Sequence, residues 1–216
     1  MKISILLPYK ENFTYEAAGA VSLFVHQVWN VSKFKKKITI FGSTNYKKYL
    51  NKNYKNINFK KNIFLSSSKM YVDNFLNNAE VINSDIIEIH NRPHYIKNIK
   101  KKYKKKISLY FHNDPLSMDG SKSVQDRMYL IDNVDKLIFN SIWSKNRFFL
   151  NMNINKSNSK DVSVCYQSSN KVKIDFKKKE NIVTFIGKLN RAKGYDIFGN
   201  AIIDILDKYK NWKAIV

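Results

Sequence analysis

The residues best suited to chemistry lie near the C-terminal end of the chain. An apolar, β-branched run at 182–186 stops at Gly187, and a helical pattern begins at Tyr195, so the stretch predicts a strand, a turn and a helix. Such a turn brings backbone N–H groups and the positive end of the helix dipole to the carboxyl edge of the strand, where anions bind. Three cations belong to the same turn: Lys188, Arg191 and Lys193. The stretch favours a phosphate site, with an ordinary βα turn made basic by composition as the alternative.

Two earlier loops place polar side chains directly after predicted strands. The loop after 85–89 contains His90, Asn91 and Arg92 before a proline, and the alternative reading is a proline-terminated turn that leads into a helix. The loop after 107–111 begins at His112. From spacing alone, His112 is also compatible with a satisfied structural histidine at the tip of a buried strand.

Gly19 lies early in a helix predicted over 16–31. Glycine inside a helix costs about 1 kcal/mol relative to alanine, so its presence needs a reason. Close approach of a sugar or phosphate to bare backbone is one reason. Tight packing of the helix on the sheet is the other, and the spacing does not choose between them.

Strand-like and helix-like segments alternate along the rest of the chain. The pattern predicts an α/β fold with a parallel sheet covered by helices on both faces. We predict an N-terminal domain at 1–166, a linker at 167–181 and the beginning of a truncated C-terminal domain at 182–216. Further predictions are a strand at 62–65, a helix at 68–83 capped by Ser68, and packing roles for Cys165, Trp143, Phe148, Phe149 and Leu150.

The C-terminal stretch resembles a known family. Phe185-Ile186-Gly187-Lys188-Leu189, followed by Lys193-Gly194 and a helix, is similar to the start of the second domain of family 4 glycosyltransferases of the GT-B fold. The usual pattern there is F-x-G-R-L, a short loop and K-G. The resemblance, which extends over nearly the whole chain, implies that Gly187, Lys188 and Lys193 bind the diphosphate of a nucleotide-sugar donor. Lys188 replaces the usual arginine, so its charge acts as a point rather than a bidentate fork.

The resemblance implies that the parallel sheet is Rossmann-like and that an incomplete second Rossmann-like domain follows it. It also implies roles for residues of the N-terminal domain. His112 matches a family histidine that contacts the donor sugar near the reacting carbon, and it is the predicted catalytic residue. Gly19, with Ala18 where the family usually has a second glycine, is expected to face the donor. Asn91 and Arg92 are expected to bind donor or acceptor.

The expected reaction is transfer of a sugar to the hydroxyl of a glycan or lipid-linked acceptor, with retention of configuration. No cofactor or metal is expected, and the sequence contains no D-x-D triplet. The family's paired glutamates are expected beyond Val216, so the chain is predicted to be an inactive fragment of an enzyme of envelope polysaccharide or lipopolysaccharide synthesis. A non-catalytic glycan- or anionic-lipid-binding relative is the alternative.

Charge is the remaining signal. Thirty-nine Lys and Arg against 17 Asp and Glu give +22, which is typical of proteins that bind nucleic acid or anionic membranes. The excess is mostly lysine and accompanies abundant Asn, Ile and Tyr, as AT-rich coding would produce. The seven lysines of Lys97–Lys106 predict a solvated helix face or a peripheral contact with anionic lipid, at about 1 kcal/mol per lysine. We do not expect binding to nucleic acid. We expect a cytoplasmic location or a peripheral one on the inner face of the membrane.

Overall fold

The computed structural model describes residues 1–60, 65–152, 161–168 and 172–216. They form two compact units, Met1–Ser168 and Ser169–Val216. The division between the units falls inside the segment predicted as a linker.

The first unit is built on a parallel sheet of seven described strands. The strands are β1 (Ile3–Leu6), β2 (Ile38–Gly42), β3 (Tyr54–Asn56), β4 (Ile86–His90), β5 (Lys106–Phe111), β6 (Lys136–Phe139) and β7 (Asp161–Val164). Their order is β3-β2-β1-β4-β5-β6-β7, and every neighbouring pair is parallel. All carboxyl ends therefore lie along one edge, and the order reverses between β1 and β4. Ligands of such sheets bind at this reversal.

Helices cover both faces of this sheet. They are α1 (Ala20–Val31), α2 (Ser67–Leu76), α3 (Ala79–Ile82), α4 (Tyr95–Lys102), α5 (Val124–Asn133) and α6 (Ile142–Phe148). Successive strand residues point to opposite faces. Ile87, Ile89 and Leu109 therefore join one buried cluster with residues of α2 to α6. Ile5 and Leu7 join a second cluster with residues of α1. The predicted fold class is confirmed.

The second unit contains one described βαβ arrangement. Strand β8 (Ile182–Thr184) pairs in parallel with β9 (Lys213–Ile215), and α7 (Tyr195–Lys208) connects them. The strand, turn and helix predicted for this stretch are present.

Two elements between β2 and β4 differ from the prediction. The helix predicted at 68–83 is split into α2 and α3, because the Asn78 side chain accepts a hydrogen bond from the Glu80 N–H and starts a new helix. Ser66, not Ser68, caps α2. The strand predicted at 62–65 falls at 62–64 on residues outside those described, and Leu65 is not in a strand. The third strand is instead β3, at Tyr54–Asn56.

Three predicted packing residues are exposed. Cys165, predicted to be a small core residue, follows the end of β7 and is exposed. Trp143 lies in the first turn of α6 with 59% of its surface exposed, and the Arg147 guanidinium is 5.5 Å from its ring centroid. Leu150 is exposed as well, whereas Phe148 is buried as predicted.

Gly42 at the end of β2 provides a test of this packing. A Cβ there would lie 2.7 Å from Tyr54 Oη and 2.8 Å from its Cε2. The Tyr54 ring cannot retreat easily, because it is buried and stacks on Phe13 with centroids 5.0 Å apart. We expect Gly42→Ala to lower the free energy of unfolding by about 1–3 kcal/mol, measured by urea denaturation.

The control is Gly199→Ala, in helix α7. A Cβ at Gly199 meets no atom within 4 Å. Since alanine is the better helix former, this variant should be neutral or stabilised by up to about 1 kcal/mol. A Gly42→Ala protein as stable as the unmodified chain would contradict the packing described for this edge.

Candidate functional site

The carboxyl edge of β4 and β5 brings the predicted residues of the first unit together. Asn91 directly follows β4 and adopts a left-handed backbone conformation with φ 56°, which asparagine tolerates better than most residues. Its Oδ1 accepts a hydrogen bond from the His112 backbone N–H at 3.2 Å, and its own N–H donates to Tyr110 O at 2.8 Å. Arg92 Nη1 donates to Asn91 O at 2.8 Å. Asn91 therefore fixes the backbone at His112.

The His112 side chain is almost enclosed, with 8% of the residue exposed. The Tyr110 ring stacks on the imidazole with centroids 4.3 Å apart, and Phe24 of α1 meets it edge-on at 5.2 Å. The His112 carbonyl accepts a hydrogen bond from Asn140 Nδ2 at 2.7 Å. Ring and backbone are thus both held in place.

Both ring nitrogens of His112 are hydrogen-bonded to neighbouring side chains. Its Nε2 is 2.8 Å from Nδ1 of His90, and its Nδ1 is 2.5 Å from Nε2 of Gln167. His90 Nε2 is in turn 2.8 Å from Glu88 Oε1. Four side chains, Glu88, His90, His112 and Gln167, therefore form one continuous hydrogen-bonded chain, which we call the histidine relay.

Sequence reasoning named His112 and the loop residue His90, but it missed Glu88 and Gln167. A signal was available on β4, where Glu88 and His90 alternate with the buried Ile87 and Ile89. Polar residues at every second position indicate a strand face with its own hydrogen-bonding partners. Gln167 gave no such signal, because it lies 55 residues from His112 in the chain.

Burial determines the charge of His112. Loss of hydration, with a smaller contribution from neighbouring His90, lowers its pKa from 6.5 to about 2. Removing an imidazole from water disfavours the charged form, so His112 is neutral at physiological pH. A neutral imidazole can donate or accept hydrogen bonds at this position.

Gly19 is outside the helix to which it was assigned. Helix α1 begins at Ala20, and Gly19 is its extended N-cap residue, so the prediction of a glycine in a helix interior was wrong. A Cβ at Gly19 would collide with the Glu11 carboxyl group, lying 2.8 Å from Cδ. Glu11 Oε1 accepts a hydrogen bond from the Ser22 N–H at 3.2 Å. Because Gly19 has no side chain, the Glu11 carboxylate fits against its backbone. A contact between Gly19 and the donor stays a prediction.

The predicted phosphate residues lie in the turn that precedes α7. Lys188 and Lys193 are exposed, and among the residues described neither is paired with a carboxylate, whereas Arg191 Nε pairs with Asp196 Oδ2 at 3.2 Å. Gly194, with φ 73°, is the N-cap of α7 and supplies no side chain to the N–H groups of its first turn. The turn therefore presents two unpaired cations beside a helix N-terminus. A Cβ at Gly187 would be 3.4 Å from the Phe185 ring, an ordinary contact, so Gly187 is not required by packing.

Known proteins resemble this chain in fold rather than in sequence. Neither the protein-family models nor the curated protein sequences gave a match. Among solved structures, sucrose-phosphate synthase (tll1590) from Thermosynechococcus elongatus is similar at TM-score 0.64 and 11% identity, over 95% of this chain and 60% of that one. Anabaena Alr3699/HepE, solved in complex with UDP and glucose, is similar at TM-score 0.65 and 13% identity, over 100% of this chain and 60% of that one.

The likeness to these two proteins extends over both units of this chain, which spans about 60% of the length of each neighbour. The Rossmann-like sheet of the first unit and the βα turn of the second therefore belong to a fold that these proteins share.

Two further features bear on ligands. In the described parts of the chain, no group of three or more His, Cys, Asp or Glu residues is placed to hold a metal ion. None of the described helices is both long and apolar enough to cross a membrane.

Several lysines of Lys97–Lys106 form ion pairs or hydrogen bonds with other residues of the chain. Lys97 pairs with Asp126 at 3.4 Å, Lys102 pairs with Asp73 at 2.9 Å, and Lys105 donates to the Ser84 carbonyl at 3.0 Å. The segment ends at the start of β5, the opposite end of that strand from His112. The lysines therefore lie away from His112.

The lowered pKa of His112 predicts a stability effect of defined sign. Because its pKa is below 6.5 when folded, its contribution to stability is complete above pH 6.5 and is lost as pH falls toward about 2. At pH 4.5 the loss should be about 2–3 kcal/mol. We expect acidification from pH 7.5 to pH 4.5 to lower the free energy of unfolding of both proteins. The decrease should be smaller for His112→Gln than for the unmodified chain by this amount, measured by urea denaturation. Glu88, His90 and Tyr110, which face His112, are unchanged in both proteins. A His112 imidazole that titrates near pH 6.5 by NMR would contradict this.

Proposed function

We propose that the intact protein is a glycosyltransferase of the GT-B fold, acting on a nucleotide-diphosphate sugar and an acceptor hydroxyl with retention of configuration. The fold is shared with two glycosyltransferases, one of them solved with UDP and glucose. The observation that carries the proposal is the basic turn before α7. Lys188 and Lys193 are exposed there, beside a helix N-terminus that no side chain caps.

The turn suits a diphosphate for electrostatic reasons. Sugar transfer builds negative charge on the departing diphosphate while the sugar becomes positive. Cations and backbone N–H groups placed before the reaction stabilise that charge without reorganising, and this stabilisation commonly contributes more to catalysis than any other single effect. In the proposal Lys188, Lys193 and the α7 N-terminus provide it, and no metal is required.

The first unit is assigned the sugar-binding residues. His112 is neutral, so we assign it a hydrogen bond to the donor sugar rather than a proton transfer. Its role as the catalytic residue is proposed in that sense. Asn91 holds the His112 backbone, and Arg92 and Gly19 remain proposed contacts to donor or acceptor. A glycan or lipid-linked acceptor, an envelope polysaccharide or lipopolysaccharide pathway and a cytoplasmic location are part of the proposal.

The lysine of the K-G pair gives the direct test. We expect Lys193→Ala to weaken binding of UDP to the intact protein at least tenfold, because a charge-assisted hydrogen bond is worth about 1.5–3 kcal/mol. Lys188→Ala should have a similar effect, and isothermal titration calorimetry measures both. The matched control is Lys208→Ala, which removes the same charge from the other end of α7. Equal UDP affinity for Lys193→Ala and Lys208→Ala would remove the basis of the proposal.

The alternative, a non-catalytic relative that binds glycan or anionic lipid through Lys97–Lys106, has less support because several of these lysines bond within the chain. Lys100 and Lys101, in the last turn of α4, test it. We expect Lys100→Glu with Lys101→Glu to leave sedimentation with phosphatidylserine vesicles unchanged. Strong vesicle binding that this double variant abolishes would favour the alternative.

A further inference from the structure

The histidine relay has a direction that its chemistry fixes. A carboxylate accepts hydrogen bonds and cannot donate them. His90 Nε2, 2.8 Å from Glu88 Oε1, must therefore carry a proton, and in the neutral ring this leaves His90 Nδ1 as an acceptor. The neighbouring His112 Nε2, 2.8 Å away, must then be the donor.

The same reasoning defines the outer nitrogen of His112. With its proton on Nε2, neutral His112 has a bare Nδ1, and the Gln167 amide N–H, 2.5 Å away, donates to it. The reverse order would set a lone pair of His90 against the Glu88 carboxylate, two acceptors at hydrogen-bond distance. One tautomer of each ring therefore satisfies all three hydrogen bonds.

Burial makes this arrangement rigid. His90 is 1% exposed and His112 is 8% exposed, whereas the Glu88 side chain is 27% exposed. The rings of Tyr110 and Phe24 and the amides of Asn91 and Asn140 fix the position of His112. By contrast, Gln167 is exposed, on the segment that follows β7. Within the relay, the two buried histidines are therefore fixed, whereas the exposed Gln167 can be displaced.

We propose that Glu88 and His90 are positioning residues that hold His112 Nδ1 as a hydrogen-bond acceptor for a hydroxyl of the sugar substrate, and that this hydroxyl replaces the Gln167 amide when the sugar binds. The inference rests on the proposed function, because it takes the ligand to be a sugar. A hydroxyl that donates to Nδ1 replaces one N–H donor by one O–H donor, so the site is satisfied in both states. The relay itself is a property of the chain and can be tested without a ligand.

The first measurement is the tautomer. In the ¹⁵N-histidine-labelled protein, long-range ¹H–¹⁵N correlation spectra should show the proton of both His90 and His112 on Nε2. Glu88→Ala removes the fixed acceptor, so both rings should become tautomer mixtures. Glu88→Gln can accept through its carbonyl or donate through its amide N–H, so it should also allow the reversed order. Glu80→Ala, which removes an exposed glutamate paired with Lys55, is the control and should change nothing. A His112 proton on Nδ1, or tautomers unchanged in Glu88→Ala, overturns the inference.

The second measurement is affinity for UDP and for UDP-glucose, whose difference reports the sugar contact. Glu88→Ala should weaken UDP-glucose about fivefold to tenfold, as expected for one neutral hydrogen bond, and leave UDP unchanged. Gln167→Ala should leave the tautomers intact and bind UDP-glucose as well as or better than the unmodified protein.

The outcomes separate the inference from the proposed function. If UDP binding depends on Lys193 but Glu88→Ala changes neither tautomer nor UDP-glucose affinity, the relay inference falls and the glycosyltransferase proposal stands. If the tautomers respond as expected but UDP does not bind through Lys193, the function fails and the sugar assignment of the relay fails with it. Equal affinity of the unmodified protein for UDP and UDP-glucose also overturns the sugar assignment.

Discussion

All seven described strands of the larger sheet point the same way, and this constraint decides where polar side chains can meet. Each strand ends at the same edge, so residues far apart in sequence become neighbours there. Asn91 follows β4 and His112 follows β5, and the pairing of these strands in register, with His90 opposite Tyr110, brings the two histidine rings together. The chemistry of the first unit therefore follows from strand direction and register.

The relay is also an energetic requirement of the fold. A buried polar group without a partner costs several kcal/mol, whereas a fully paired one is close to neutral. Two histidines are buried side by side, and each of their four ring nitrogens has a partner. Burial lowers the pKa of His112 and keeps its imidazole neutral. A charge on this ring would be unpaired. A hydrogen-bonding group of fixed polarity is thus available at the sheet edge.

The sequence predicted most of the fold because its signals are local. The alternation of strands and helices and the turn around Gly187 depend on neighbouring residues, and the structure contains both. In two of the failures, distant contacts decide. Helix α1 starts late because Glu11 caps it, and the bond between Tyr110 Oη and the Cys165 carbonyl orders the backbone after β7 while the thiol is exposed.

The candidate site was predictable to a similar degree. His112 and Asn91 could be named because they directly follow strands. Glu88 could not be joined to His112, because the register of β4 against β5 is set by packing and not by either strand alone. Gln167 could not be named either, because its contact with His112 depends on the path of the chain after β7.

The central claim is that the basic turn before α7 receives a diphosphate. A crystal structure of the intact protein with UDP tests it most directly. The account predicts phosphate oxygens within hydrogen-bond distance of Lys188 Nζ, Lys193 Nζ and the backbone N–H groups that begin α7. A diphosphate bound elsewhere, with both lysines free in solvent, would contradict it.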